Sequence, residues 1–154
     1  MTTDEFKGPS ADIVVEEVFP NSPETVWKAL TSGEMIGRWL MKPSGFEAVS
    51  GAVFTFSTKP AGEWDGTIHC EVIEVIPNQK LSYSWKGGHD SNSGYGSPLD
   101  TVVTWTLSRE SNGTRVRLVH SGFDSQRNES ALKTMGEGWK KVVPNISKLI
   151  NEGT

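Results

Sequence analysis

One cysteine, Cys70, is all the thiol this chain has, which excludes an internal disulfide framework and a multi-thiolate metal site. Long basic runs are missing too. Fifteen Lys and Arg stand against nineteen Asp and Glu for a net charge of -4, and no basic cluster exceeds the pair Lys140 and Lys141. That balance does not suit a polyphosphate backbone, so nucleic acid is not an expected partner. The opening "MTTDEFKG" is acidic and polar with no apolar stretch behind it. It predicts neither a signal peptide nor an integral membrane span, and the cytoplasm is the expected compartment. Phosphate-binding loops, dinucleotide fingerprints and serine-hydrolase elbows are also lacking.

What the chain does have is tryptophan, six in 154 residues. Side chains of that bulk need a large core or a lined cavity. A chain of this length makes one domain, and folding removes roughly two-thirds of its surface from water. Residues 1–10 read as a flexible tail ahead of it.

The hydrophobic patterning orders the elements. "ADIVVEEVF", residues 11–19, reads as a strand, and a helix follows with Ser22 as N-cap, Pro23 in the first position and Glu24 at the positive end of the dipole. Val26, Trp27 and Leu30 form its apolar stripe. Ser32 caps a second short helix whose buried side is Met35, Ile36, Trp39 and Leu40. From 44 to 121 the pattern is strand and turn. In "WDGTIHCEVIEVI", Glu71 and Glu74 lie three apart and cannot both face water on a regular pleat, which predicts a β-bulge between them. "PNQ" turns the chain into a strand with Leu81, Tyr83 and Trp85 on one face. "LDTVVTWTLS" and "TRVRLVHSGF" pair as a hairpin, with Asn112 and Gly113 expected at its tight turn. The last element is a long helix with "TMGE" as capping box, Thr134 as N-cap, and a stripe of Met135, Trp139, Val142, Val143, Ile146, Leu149 and Ile150. Pro144 lies inside it and is expected to bend it. The order predicts an α+β fold. In it, one curved antiparallel sheet of six or seven strands wraps a long C-terminal helix, and two short helices follow the first strand.

Alternation along "TRVRLVHSGF" sends His120 inward with Val116 and Leu118. A buried histidine is either a cavity group that contacts a ligand or moves a proton, or a structural residue satisfied by nearby acceptors. The aromatics of every element converge in the same interior. They either fill a core or line a pocket, and the expected lining is Trp39, Phe54, Trp64, Tyr83, Trp85, Trp105, His120, Phe123, Trp139 and Val143. Catalytic patterns are poor. His69 and Cys70 are strand neighbours that face opposite ways, the three histidines have no metal-ligand spacing, and Glu63 and Asp65 read as a solvated pair of acids, so neither metal nor cofactor is expected. The glycine- and serine-rich stretch 87–98, "GGHDSNSGYGSP", reads as a mobile loop able to gate a cavity.

Four segments in this order, "VFPNSPETVWKALTSGEMIGRW", "EVIEVIPNQKLSYSW", "TVVTWTLS…NGTRVRLVHSGF" and "GEGWKKVVPNISKLI", resemble the START-like, or Bet v 1-like (SRPBCC), superfamily. Within it they look most like the branch of the C-terminal domain of the activator of the heat-shock-protein-90 ATPase. The resemblance spans about residues 11–151 and implies a helix-grip fold around a mostly apolar cavity. It implies a monomer that holds a hydrophobic small molecule such as a lipid, sterol, polyketide or other natural product, in stress response or resistance by sequestration. Two alternatives come with it: a cyclase or hydrolase with His120 as acid or base, and a chaperone cofactor that works through its outer sheet face.

Overall fold

The computed structural model describes residues 10–152, so the expected N-terminal tail lies outside the described residues except for Ser10, which already belongs to a strand. Strand β1 (Ser10–Phe19) is followed by helices α1 (Pro23–Thr31) and α2 (Gly33–Trp39). Both helices start where side-chain chemistry dictates: Ser22 Oγ accepts from the Thr25 N–H at 3.2 Å and Ser32 Oγ from the Met35 N–H at 3.3 Å. Strands β2 (Val53–Ser57), β3 (Thr67–Ile76), β4 (Lys80–Gly87), β5 (Leu99–Glu110) and β6 (Gly113–Asp124) follow, and helix α3 (Glu129–Glu152) closes the chain.

The six strands form one antiparallel sheet in the order β1-β6-β5-β4-β3-β2. Only β1 departs from sequence order: it lies beside β6, with Phe19 opposite Thr114 and Ser10 opposite Asp124. The β3–β4 register shifts between Val72 and Glu74, at the expected bulge. There the extra residue, Ile73, is half exposed, and the Glu71 N–H donates to Ser84 Oγ at 2.9 Å. The turn after β3 places Asn78 at φ 64°, behind Pro77, and the Gln79 N–H closes on the Ile76 carbonyl at 2.9 Å. α3 buries Trp139, Val143 and Ile146 in a core shared with the inward faces of all six strands and with Val26, Leu30, Ile36 and Trp39 of the short helices.

Two local expectations are corrected. The β5–β6 hairpin turns through Ser111 and Asn112, because Glu110 pairs with Gly113, and Gly113 opens β6 at φ 143°. Glycine is required at that place: a Cβ would lie 1.9 Å from the Phe19 carbonyl oxygen. α3 also begins ahead of the "TMGE" capping box, which lies within it. Its start is set by Asp124, whose Oδ1 accepts from the N–H groups of Gln126 and Arg127 at 3.0 Å each, and by Asn128, whose Oδ1 accepts from the Asp124 N–H at 3.0 Å. This turn carries the chain directly from β6 into the helix, so the residues around Thr134 never need a cap of their own.

Candidate functional site

The interior divides into a closed aromatic core and a small recess at one end. In the core, edge-to-face packing links Trp39 to Trp105, Trp105 to Trp139, and Phe54 to both Phe56 and Tyr83, with ring centroids 5.4–5.8 Å apart. His120 sits at the inner end of this cluster, fully buried, 4.6 Å from the Phe123 ring. Trp139 on α3 donates its indole N–H to His120 Nδ1 at 3.0 Å. That bond fixes the neutral tautomer, so Nε2 carries the proton and donates to Thr101 Oγ1 at 2.8 Å. Thr101 in turn donates to the Trp85 carbonyl at 2.7 Å. Both ring nitrogens are satisfied, and burial pushes the imidazole pKa from 6.5 down to about 3. His120 therefore ties α3 to β5 as an uncharged linker, with no free nitrogen to serve as acid or base at neutral pH.

The recess has a volume of about 220 Å³ and lies between Ile68, Trp85 and Leu99 of the sheet, Ser130, Ala131, Thr134 and Met135 at the start of α3, Met41, Thr58 and Trp64, and the loop residues Gly88, Tyr95, Gly96 and Ser97. Its wall is predominantly apolar, and among the described residues no Asp, Glu, Lys, Arg or His lines it. Of the residues expected to line a pocket, Trp64 and Trp85 do so. Trp39, Phe54, Tyr83, Trp105, His120, Phe123, Trp139 and Val143 are instead packed in the core and absent from the lining. Ala131 and Met135 escape the sequence pattern as wall residues, because nothing in a helical stripe distinguishes a residue facing a void from one facing a neighbour, and Met41 lies just past the end of α2, outside its stripe.

The stretch 88–98 that forms one side of the recess is tied down. Asn92 Nδ2 donates to the Ala61 carbonyl at 2.7 Å, and the Tyr95 hydroxyl to the Lys59 carbonyl at 2.5 Å. The His89 N–H reaches the Gly96 carbonyl at 2.8 Å. Asn128 Nδ2 holds the other end, donating to the Pro98 carbonyl at 2.7 Å and to Ser97 Oγ at 3.4 Å. The Tyr95 ring leans on Trp64 with centroids 5.7 Å apart and remains 48 % exposed. Composition alone suggests slack, whereas these side-chain bonds make the loop a fitted wall.

The remaining candidate groups are separate from the recess. His69 is exposed and Cys70 buried on opposite faces of β3, and burial raises the Cys70 thiol to about 12. Glu63 and Asp65 are both exposed beside buried Trp64, and Asp65 Oδ1 accepts from the Thr67 N–H at 2.9 Å, which holds its carboxyl below the usual range. Among the described residues no group of three or more His, Cys, Asp or Glu side chains could hold a metal ion, and no helix is long and apolar enough to cross a membrane.

Comparison with known proteins places this geometry. The solved structure of MLL2253 from Mesorhizobium loti is 33 % identical, with a TM-score of 0.77 over 94 % of this chain and 99 % of that one. BH1534 from Bacillus halodurans is 28 % identical, with a TM-score of 0.69 over 92 % and 97 %. The Aha1 dimer from Colwellia psychrerythraea shares the fold at 21 % identity, with a TM-score of 0.73 over 94 % and 98 %. No match was found among curated proteins. The six-stranded curved sheet, the closing helix and the paired short helices are those of the helix-grip, START-like fold. Residues 20–151 match the family described as activator of Hsp90 ATPase homolog 1-like protein, and the chain belongs to that family.

Proposed function

We propose that this protein binds a small hydrophobic molecule, without covalent chemistry, in the recess between β4, loop 88–98 and the start of α3. The observation that carries the proposal is the recess itself, a void of about 220 Å³ with a predominantly apolar, uncharged wall beside the aromatic core. A cavity of about 150 Å³ is enough to hold benzene, and pockets for drug-sized ligands start at about 300 Å³. A ligand of one or two rings fits between those limits. Burying about 200 Å² of such a ligand contributes about 5 kcal/mol before ordering costs, which puts the Kd at about 0.2 mM or weaker. Sequestration of a compact natural product is a role of that kind, whereas intact sterols and long polyketides exceed the space.

An enzymatic reading built on His120 has no support in the geometry, because both ring nitrogens are occupied and the ring lies outside the recess wall. The test is an amide NMR titration with one- and two-ring aromatics on the native protein and on Ala131→Phe, which fills the recess from α3. Shifts at Ala131, Met135 and Tyr95 that disappear in the variant are the expected result. Shifts spread over the outer sheet face, or binding unchanged by Ala131→Phe, refute it.

A further inference from the structure

The wall of the recess combines fixed and movable structure. Much of it belongs to the sheet and to α3, whose backbones are closed by their own hydrogen bonds, but Gly88, Tyr95, Gly96 and Ser97 belong to the connection between β4 and β5. The wall residues also differ in exposure. Tyr95 on the connection and Ser130 and Thr134 on α3 are exposed, while the rest of the wall is buried or half-buried. The mouth of the recess therefore lies between two lips, one on the connection and one on α3.

The lips are held differently. Next to α3, Asn128 is 4 % exposed; its Oδ1 accepts from the Asp124 N–H, and its Nδ2 donates to the Pro98 carbonyl and to Ser97 Oγ. Breaking such buried bonds is costly. The tip of the connection, residues 89–95, is held at the surface. Among the described residues its side-chain bonds to other parts of the chain run from the Tyr95 hydroxyl to the Lys59 carbonyl at 2.5 Å, from Asn92 Nδ2 to the Ala61 carbonyl at 2.7 Å, and from Arg127 to Asp90 at 3.1 Å. These bonds are exposed or partly buried, so water can replace them and each adds little resistance to opening. Gly88 at φ 84° and Gly96 at φ 88° bound the tip, and glycine crosses between backbone regions without a side-chain penalty. The His89 N–H to Gly96 carbonyl bond closes the base of the tip, which therefore moves as one piece.

On the reading that the recess is a ligand site, we infer that residues 89–95 form a lid latched shut by Tyr95, and that a small ligand enters and leaves when this tip swings away from Lys59 and Trp64. Tyr95 latches it twice, through the hydroxyl bond to Lys59 and through its ring against Trp64, centroids 5.7 Å apart. A latch sets rates and leaves affinity alone, because the frequency of opening enters association and dissociation equally and cancels in their ratio.

The test is Tyr95→Phe, which removes the hydroxyl bond and keeps the ring. The native protein and the variant are titrated with 1-naphthol at pH 7.5, and the rates are read from NMR line shapes. Association and dissociation rate constants should both rise about fivefold, the factor one solvent-facing hydrogen bond is worth, with Kd unchanged within twofold. A faster dissociation alone, with Kd weakened in proportion, makes Tyr95 a ligand contact and overturns the latch. Rates unchanged within twofold overturn the lid. Relaxation dispersion on the ligand-free proteins separates the lid from the ligand site: the amides of residues 89–95 should exchange on the μs–ms scale, with an open population about fivefold larger in Tyr95→Phe. If 1-naphthol perturbs no recess resonance in either protein, the ligand site falls; the larger open population still supports Tyr95 as latch, and equal populations overturn it.

Discussion

Replacing His120 with glutamine should change how stability responds to pH more than it changes stability itself. The glutamine amide can still accept from Trp139 and donate to Thr101, so at pH 8 the variant should lose only about 1–2 kcal/mol through poorer ring packing. The native protein, however, carries a pH-dependent term that the variant lacks. Folded, the imidazole is held at about 3, while in the unfolded chain it returns to about 6.5. Between those values the unfolded state binds the proton and the folded state does not, so stability falls as pH falls through 6.5. From pH 8 to pH 5 the loss is about 2 kcal/mol, and this figure depends on the unfolded value as long as the folded one stays well below 5. All other titrating groups are common to both proteins and drop out of the difference. Urea unfolding followed by tryptophan fluorescence at pH 8, 7, 6 and 5 measures it. The two stability curves should converge or cross near pH 5. Curves that run parallel within about 0.5 kcal/mol would show that His120 is not held neutral, and the reasoning would fail.

Other perturbations test other joints of the fold. Thr101→Val leaves the His120 Nε2–H without an acceptor and the Trp85 carbonyl without this donor. It should cost about 2–3 kcal/mol, read as a fall in Tm of about 4–12 °C; a change below 2 °C refutes the network. Gly113→Ala should cost more than about 2 kcal/mol in urea unfolding, because the new Cβ meets the Phe19 carbonyl at 1.9 Å at a φ of 143°. A near-neutral result would mean that β1 and β6 can separate there without penalty. Cys70, with a thiol raised to about 12 and buried, should react with iodoacetamide at pH 8 about a thousandfold or more slowly than a free thiol, and at the free rate once the protein is unfolded.

Several features were legible in the residues because they depend on near neighbours. Ser22 and Ser32 cap their helices through bonds to residues three positions on, and the bulge in β3 follows from Glu71 and Glu74 competing for one face. The inward set Leu81, Tyr83 and Trp85 follows from a period of two. The recess and the role of His120 depend on distant residues. Thr101 and Trp139 lie 19 positions before and after His120, and only the assembled sheet and α3 bring them to it. The start of α3 escaped for a related reason: Asn128 is fixed by the Pro98 carbonyl from a loop thirty residues earlier, a contact that no helix-capping pattern encodes. The same contact explains why a stretch rich in glycine and serine is held in place. An aromatic at a strand position can be assigned to the interior from pattern alone, but whether it touches another ring or a void depends on what the opposite element leaves out.

The position of β1 has a consequence for the time the chain spends incomplete. Of the six strands β1 is made before the others, yet among the described residues its sheet partner is β6, so its ladder must wait until roughly a hundred further residues have been synthesised. At about 5–20 residues per second that is an interval of about 5–20 s. Throughout it, β1 carries Ile13, Val15 and Phe19, the residues its alternating pattern turns toward the core, beside an unpaired strand edge. β2 to β5 can meanwhile pair in the order they are made. The fold is therefore most open to misassembly through β1, and β6 is the strand whose synthesis ends that exposure.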